Sequence, residues 1–285
     1  MFSFEGDGLG THWQVLVDGS EIPADLGNTI VNKISVFEKK FSRFLPGSEV
    51  NILAANRKSE IKISDDLVKM LEFGLSLRKV TQGAFDPNLG GVMSSFGYDE
   101  TYTFQKKPIP KKGDFKLKGN VLTKSGVVDL DLGSFGKGFL VDQISQLIAE
   151  MGLKYFLVNG GGDIYASSKR NDRPWMVGIE HPLDPVRLIG EVNLVNHSLA
   201  TSSSQKRKVG DFHHLINAKK NLPVNEVISV SVLAKTTMVA DGLATGIFVS
   251  PENLWLHMSK KFGAEFLAVY PDLTFKKSAG FPKPY

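Results

Sequence analysis

The sequence predicts an α+β fold, with mixed antiparallel sheets and packed helices. Three features carry that expectation. Segments of helical and strand periodicity are mixed without the strict alternation that a doubly wound parallel sheet requires. Successive strand-like runs between residues 154 and 235 have no helical pattern between them. A turn signal, Gly119-Asn120, joins two short strand-like runs as a hairpin. The 285 residues suffice for a large core, and 1–285 reads as one domain with an irregular excursion around 98–112.

Taken in order, His12 to Val17 is a first strand after a glycine-rich lead. Asn28 to Phe41 sets Ile30, Val31, Ile34, Phe37 and Phe41 on one helical face, and Pro46-Gly47 breaks that pattern. Glu60 to Ser64 alternates as a short strand. Asp65-Asp66 opens a helix to about Val80, with Leu67, Met70, Leu71 and Leu75 inward; acidic residues suit the positive end of a helix. GAFDPNLGG (83–91) is loop chemistry, and lysines and prolines make 98–112 irregular. Val127 to Leu132 alternates apolar and acidic residues, as a half-buried strand does. A helix then opens at Gly136 and ends near Met151-Gly152, where glycine suits a C-terminal cap. KYFLVN is a buried strand running into GGGD (160–163). Strands follow around 174–180, 186–194, 211–216 and 227–235. A helix from Thr236-Thr237 to about Val249, a helix over 251–261, a strand over 265–270 and a lysine-bearing tail complete the chain.

The hydrophobic (42%) and charged (22%) fractions are ordinary for a globular protein. Lysines gather at 106–112 and 206–208, but no aromatic-basic motif accompanies them, so nucleic acid is not an expected partner. A net charge of +4 suits an anionic small substrate. The absence of cysteine excludes disulfides, thiol catalysis and thiolate metal sites. MFSFEGDGLG lacks the basic start and apolar run of a signal peptide, and no stretch is long enough to span a bilayer. As written, the chain is expected to be cytoplasmic; a trimmed export signal would make it periplasmic.

Several stretches offer chemistry, each beside a plainer reading. Gly133-Ser134-Phe135-Gly136-Lys137-Gly138 forms a strand-to-helix corner. Free N–H groups at a helix start attract phosphate, and Lys137 adds a point charge; a tight turn with a surface lysine explains the corner equally well. Asp129 and Asp131 share one strand face, Asp131 nearer the corner, or they mark a solvent edge. Asp241 and Thr245 lie four apart on a helix and stack on one face. Carboxylate and hydroxyl oxygens suit Mg²⁺; alternatively, Asp241 pairs with a lysine and Thr245 bonds back to its own helix. His213 and His214 are adjacent on a strand and face opposite ways, so one reaches a site while the other is buried. Histidine is the side chain best placed to take a proton near neutral pH. GGGD is either a close-approach site or a turn. The loop around Ser42, Arg43 and Ser48 contacts phosphate or ribose, or caps a short helix.

LGTHWQV, FSRFLPGSEV, GAFDPNLGG, DLGSFGKGFLVD, VNGGGDI, HHLIN and ADGLATGIF, in that order, resemble the ApbE family of flavin transferases over roughly residues 9–250. The resemblance implies a T-fold-related domain that binds FAD with Mg²⁺. It implies transfer of FMN to a threonine or serine hydroxyl of a partner protein, with AMP leaving; some members hydrolyse FAD to FMN and AMP. Asp241 and Thr245 resemble the metal-binding side chains, and Ser134 takes the place whose backbone carbonyl completes the metal site. Leu9, Asp86, Asp131, Gly133, Lys137, Gly138 and Ile216 resemble the FAD-binding positions. His214 takes the place of the general base toward the attacking hydroxyl.

One segment departs from the pattern. Where the family has D-P-x-T-G, this chain has Asn217-Ala218-Lys219-Lys220-Asn221. Asn217 is neutral: it can orient an imidazole but does not stabilise the charged form as a carboxylate does. FAD and Mg²⁺ binding are therefore expected to be ordinary, and transfer slow or directed to an unusual acceptor. Hydrolysis of FAD, or flavin binding without catalysis, is the alternative.

Overall fold

The computed structural model describes residues 1–18, 22–99, 103, 105–205, 208–209 and 212–285, with backbone alone at 208–209. Residues 206–207 of the lysine cluster, the first residue of the strand read at 211–216 and part of the 98–112 excursion lie outside the described residues.

Among the described residues, the centre is an eight-stranded antiparallel sheet whose spatial order follows the chain. Its strands are β1 (Phe2–Gly8), β2 (Thr11–Val17), β3 (Phe156–Gly160), β4 (Asp163–Ala166), β5 (His197–Ser203), β6 (Ser229–Ala234), β7 (Glu265–Val269) and β8 (Phe275–Lys277). Side chains alternate between the two faces. Trp13, Val15, Val158, Val230 and Val232 face the helices. Leu157, Ile164, Leu199 and Leu267 face the other way, where the hairpin Trp175–His181 with Asp184–Leu194 covers them.

The helices are α1 (Leu26–Phe41), α2 (Glu49–Ala55), α3 (Asp65–Val80), α4 (Gly90–Ser95), α5 (Gly136–Glu150), α6 (Thr237–Val249) and α7 (Trp255–Phe262). α1 buries Leu26, Ile30, Ile34, Phe37 and Phe41, one turn more at the start than the spacing predicts. Val31, read on the same face, is 50% exposed, because it lies a further step round the helix from Ile30. Ser48 and Ser64 cap α2 and α3 by accepting from Asn51 and Leu67 N–H. Every residue of α6 from Ala240 to Val249 is buried, so this helix is core on all sides. Its acid and its second threonine are therefore the informative residues in it.

Val127 to Leu132 is not a strand. Val128, Leu130 and Leu132 are buried as the alternation predicts, but the partners of this segment are loops. Gly113 N–H donates to Val127 O, Gly90 N–H to Asp129 O, and Asp131 N–H to Pro87 O. The strand read at 211–216 is two short pieces, Phe212–His213 and Ile216–Asn217. β1, β4, β5 and β8 add to the predicted strands, and α4 stands where only loop was read. No helix among the described residues is long and apolar enough to cross a membrane.

Candidate functional site

The site forms where α5 meets α6, and Gly138 sets how close they come. A Cβ at this position would stand 2.4 Å from Thr237 O and 2.9 Å from Asp241 Cβ. Only glycine admits that approach without shifting a helix. The contact lets Gly138 N–H donate to Asp241 Oδ2 at 3.1 Å. Gly138 thus faces α6 rather than a ligand. The neighbouring N–H groups of Phe135 and Gly136 turn back to Leu132 O. The N–H groups of Gly133, Phe135, Gly136 and Gly138 are thus taken within the protein, and Ser134 and Lys137 are the corner residues that line the cavity with Gly133.

Lys137 forms an ion pair with Asp163, and its Nζ lies 3.6 Å from Asp241 Oδ2. Asp163 reaches this position through the β3–β4 hairpin, whose turn residues Gly161 and Gly162 have φ of +66° and +98°. Glycine is the residue that adopts both angles freely. GGGD is a turn and also a place of close approach: a Cβ at Gly161 would stand 2.0 Å from Thr11 Oγ1 and one at Gly160 2.8 Å from the Trp13 ring. Gly161 and Asp163 line the site. Burial, reinforced by the charge of Asp163, pushes the Asp241 carboxyl up to about 8; Lys137 and the Gly138 N–H pull it the other way.

Thr245, one turn beyond Asp241, places Oγ1 3.0 Å from Ser202 Oγ. Its hydroxyl faces β5 rather than its own helix. Asp241 and Thr245 line a cavity of about 130 Å³ with Asp131, Ser134, Lys137 and His214. Asp86, Gly133 and Ile216 line the same cavity. Asp86 is held by Lys112 at 2.6 Å and by Asn88 N–H at 2.9 Å, so its carboxylate braces the loop that carries it. Leu9 lies apart, on a second cavity of about 350 Å³ that meets the first at Tyr98, Asp131, Gly133 and Lys137. Leu9 has φ of 54° and donates its N–H to Glu38 Oε1 at 3.1 Å.

Arg43 lines the second cavity and reaches Asp131 and Tyr98, which line both. Its Nε lies 2.9 Å from Asp131 Oδ2, and its guanidinium stacks 4.4 Å from the Phe44 ring and 5.4 Å from the Tyr98 ring. Tyr98 in turn stacks on His214, with ring centroids 6.2 Å apart and planes 23° from parallel. His213 goes the opposite way. It is fully buried against Phe248 and accepts from Leu215 N–H at 3.2 Å.

Asn217 does not orient an imidazole. Its Oδ1 accepts from Lys219 and Lys220 N–H at 3.0 and 3.1 Å, and its Nδ2 donates to Val249 O at 2.9 Å. The amide closes its own turn and ties the His214 loop to the end of α6. A carboxylate could not make the Val249 bond.

Sequence reasoning gave no individual role to Asp163, the last residue of GGGD, or to Asp142, the last residue of DLGSFGKGFLVD. The signal for Asp142 was its position four residues after Gly138, on the same side of α5.

The residues present fit a magnesium ion. Two hard oxygen donors one turn apart face one cavity, and one of them is a buried carboxylate whose charged form lacks full compensation. Among the described residues no three Asp, Glu, His or Cys side chains converge. One carboxylate and one hydroxyl are the kind of hard oxygen donors that magnesium takes in small number, with water and phosphate supplying the rest.

The chain matches the ApbE family model over residues 9–268. It is 30% identical to the FAD:protein FMN transferase of Haemophilus influenzae, covering 99% of this chain and 91% of that protein. Its fold is similar to that of the ApbE protein from Thermotoga maritima, with a TM-score of 0.87 at 23% identity over 98% of this chain and 97% of that one. It is likewise similar to the flavin transferase ApbE from Vibrio cholerae, with a TM-score of 0.83 at 24% identity over 97% and 96%. With the match running nearly end to end, this chain belongs to the ApbE family.

Proposed function

We propose that this chain is a Mg²⁺-dependent FAD:protein FMN transferase, joining FMN from FAD to a threonine or serine hydroxyl of a partner protein. The observation that carries this reading is the placement of Asp241 and Thr245 on one cavity with Lys137 and His214. Family membership supplies the reaction, and the side chains account for its parts. Asp241, Thr245 and the Ser134 carbonyl would hold the ion. When bound, Mg²⁺ neutralises charge on the pyrophosphate oxygens.

His214 takes the proton from the acceptor hydroxyl as its oxygen attacks the FMN phosphorus. The P–O bond to the AMP phosphate breaks, and AMP leaves with the bridging oxygen. Lys137 presents its ammonium to the same phosphates, steadied from behind by Asp163. Tyr98 lines both cavities and is packed between the Arg43 guanidinium and His214, so it holds the wall where the cavities meet. Stacking on Tyr98 fixes the plane of the His214 imidazole, so the base is oriented before substrate arrives.

The test is incubation with FAD, Mg²⁺ and a lysate of the source cell, followed by mass spectrometry. The reading expects FMN covalently attached to a threonine or serine of one protein, with AMP released in equal amount. AMP release without covalent flavin would establish hydrolysis instead. Neither AMP nor covalent flavin would contradict both.

A further inference from the structure

α6 carries both candidate metal side chains, yet it does not cap itself. Thr236 stands at its N-cap and makes no side-chain capping bond. The two leading N–H groups are satisfied from another helix. Asp142 of α5 accepts from Thr237 N–H through Oδ1 at 2.7 Å and from Met238 N–H through Oδ2 at 2.9 Å. Negative charge at a helix start is favourable in any case. A threonine at the N-cap could supply an acceptor locally. What a local cap cannot do is tie α6 to α5.

Gly138 and Asp142 are one turn apart on α5, and both face the first turns of α6. Gly138 fixes the distance, since its Cα packs against Thr237 O. Asp142 fixes the rotation and the axial position, since two bonds from one carboxylate define a direction. Ser198 Oγ, 2.9 Å from Thr237 Oγ1, adds a third anchor from β5. Asp241 lies one turn beyond Thr237, and Thr245 one turn further. Any slip of α6 against α5 therefore moves both oxygens relative to Ser134 and Lys137, which belong to the corner that opens α5.

We infer that Asp142 is a positioning residue for the metal site: by capping α6 from α5, it sets the spacing between the Asp241–Thr245 pair and the Ser134–Lys137 corner. This rests on the reading of Asp241 and Thr245 as metal side chains. It requires no contact between Asp142 and the ion or substrate. Asp142→Asn keeps the shape but replaces one acceptor oxygen by an amide that cannot accept. Partners that orient metal ligands typically contribute about 10–100-fold to metal affinity.

The experiment is calorimetric titration of Mg²⁺ into FAD-loaded protein, well below the melting temperature, for the parent, Asp142→Asn, Asp142→Ala and Asp241→Ala. Ile148→Ala, a truncation of a fully buried residue further along α5, serves as the control for lost stability. Asp142→Asn is expected to bind Mg²⁺ about tenfold more weakly, Asp142→Ala still more weakly, and Ile148→Ala like the parent. Asp142→Asn carries the test if the alanine variant does not fold. Unchanged Mg²⁺ affinity in Asp142→Asn, with affinity lost in Asp241→Ala, would overturn the positioning role alone. Unchanged affinity in both would overturn the metal reading as well. A loss in Asp142→Asn no greater than in Ile148→Ala would also overturn it, since general loosening would then suffice.

Discussion

Lys137 holds its ammonium 3.6 Å from the Asp241 carboxylate while forming its closer ion pair with Asp163. One cation thus stands between two buried acids, one of them on the helix that would hold the metal. Were Mg²⁺ to take Asp241, Lys137 would keep Asp163 as its partner, and its charge would stay on the proposed phosphate site. Lys137→Met is expected to weaken FAD binding at saturating Mg²⁺ by about tenfold or more, the scale of a charge-assisted hydrogen bond. Calorimetric titration with FAD measures this, and unchanged affinity would remove Lys137 from the phosphate site.

The Asp241 carboxyl, raised from 3.8 to about 8, sets a pH dependence. A raised folded value means that the folded state holds the proton more tightly than the unfolded state. The contribution to stability is complete below about 4 and is lost as pH rises through about 8. The metal-free protein should therefore melt progressively lower over that interval, as far as Asp241 is concerned. Mg²⁺ must displace the proton, so its affinity should rise with pH and level off above about 8. Titrations in buffers of different ionisation enthalpy should show about one proton released per ion near pH 6.5. No proton release would mean that Asp241 is already ionised or is not a ligand.

His214→Ala is expected to lower transfer by roughly 10²–10⁴-fold, the usual contribution of a positioned general base. FAD affinity should change little, because the histidine acts on the acceptor hydroxyl. Single-turnover flavinylation and FAD titration separate the two effects. Equal losses in both would make His214 a binding residue.

Asn217→Asp restores the acid that the family pattern shows at this place, and it is not expected to speed transfer. The amide is bonded to backbone at both ends, and a carboxylate facing Val249 O has no proton to donate. A loss of about 1–3 kcal/mol is expected from that unmade bond, read as a lower melting temperature at neutral pH. A faster variant of unchanged stability would show that neutrality at 217, rather than the surrounding loop, limits this chain.

Much of this was legible in the sequence because periodicity records burial. The stripe of α1 and the alternation of Val128, Leu130 and Leu132 were both visible. Burial alone does not identify a partner, however. Val127 to Leu132 has the side-chain pattern of a strand, but loops 87–90 and Gly113 take its backbone bonds. The Asp241–Thr245 pair was legible from helical spacing, and the opposed fates of His213 and His214 from strand geometry. Asp163 and Asp142 were not, since each acts across a long loop of chain. Asp163 meets Lys137 only because two turn glycines fold β4 back on β3. Asp142 meets Thr237 only because Gly138 lets the helices touch. Asn217 misled because composition shows a missing charge, whereas the structure shows an amide using both its donor and its acceptor.

The most direct test of the metal reading is a crystal grown with FAD and Mn²⁺ as a magnesium substitute, examined by anomalous scattering. The expected map has one peak within about 2.3 Å of an Asp241 carboxylate oxygen, Thr245 Oγ1 and the Ser134 carbonyl, with the FAD pyrophosphate on its open side. A peak elsewhere, or FAD bound with its phosphates away from α6, would contradict it.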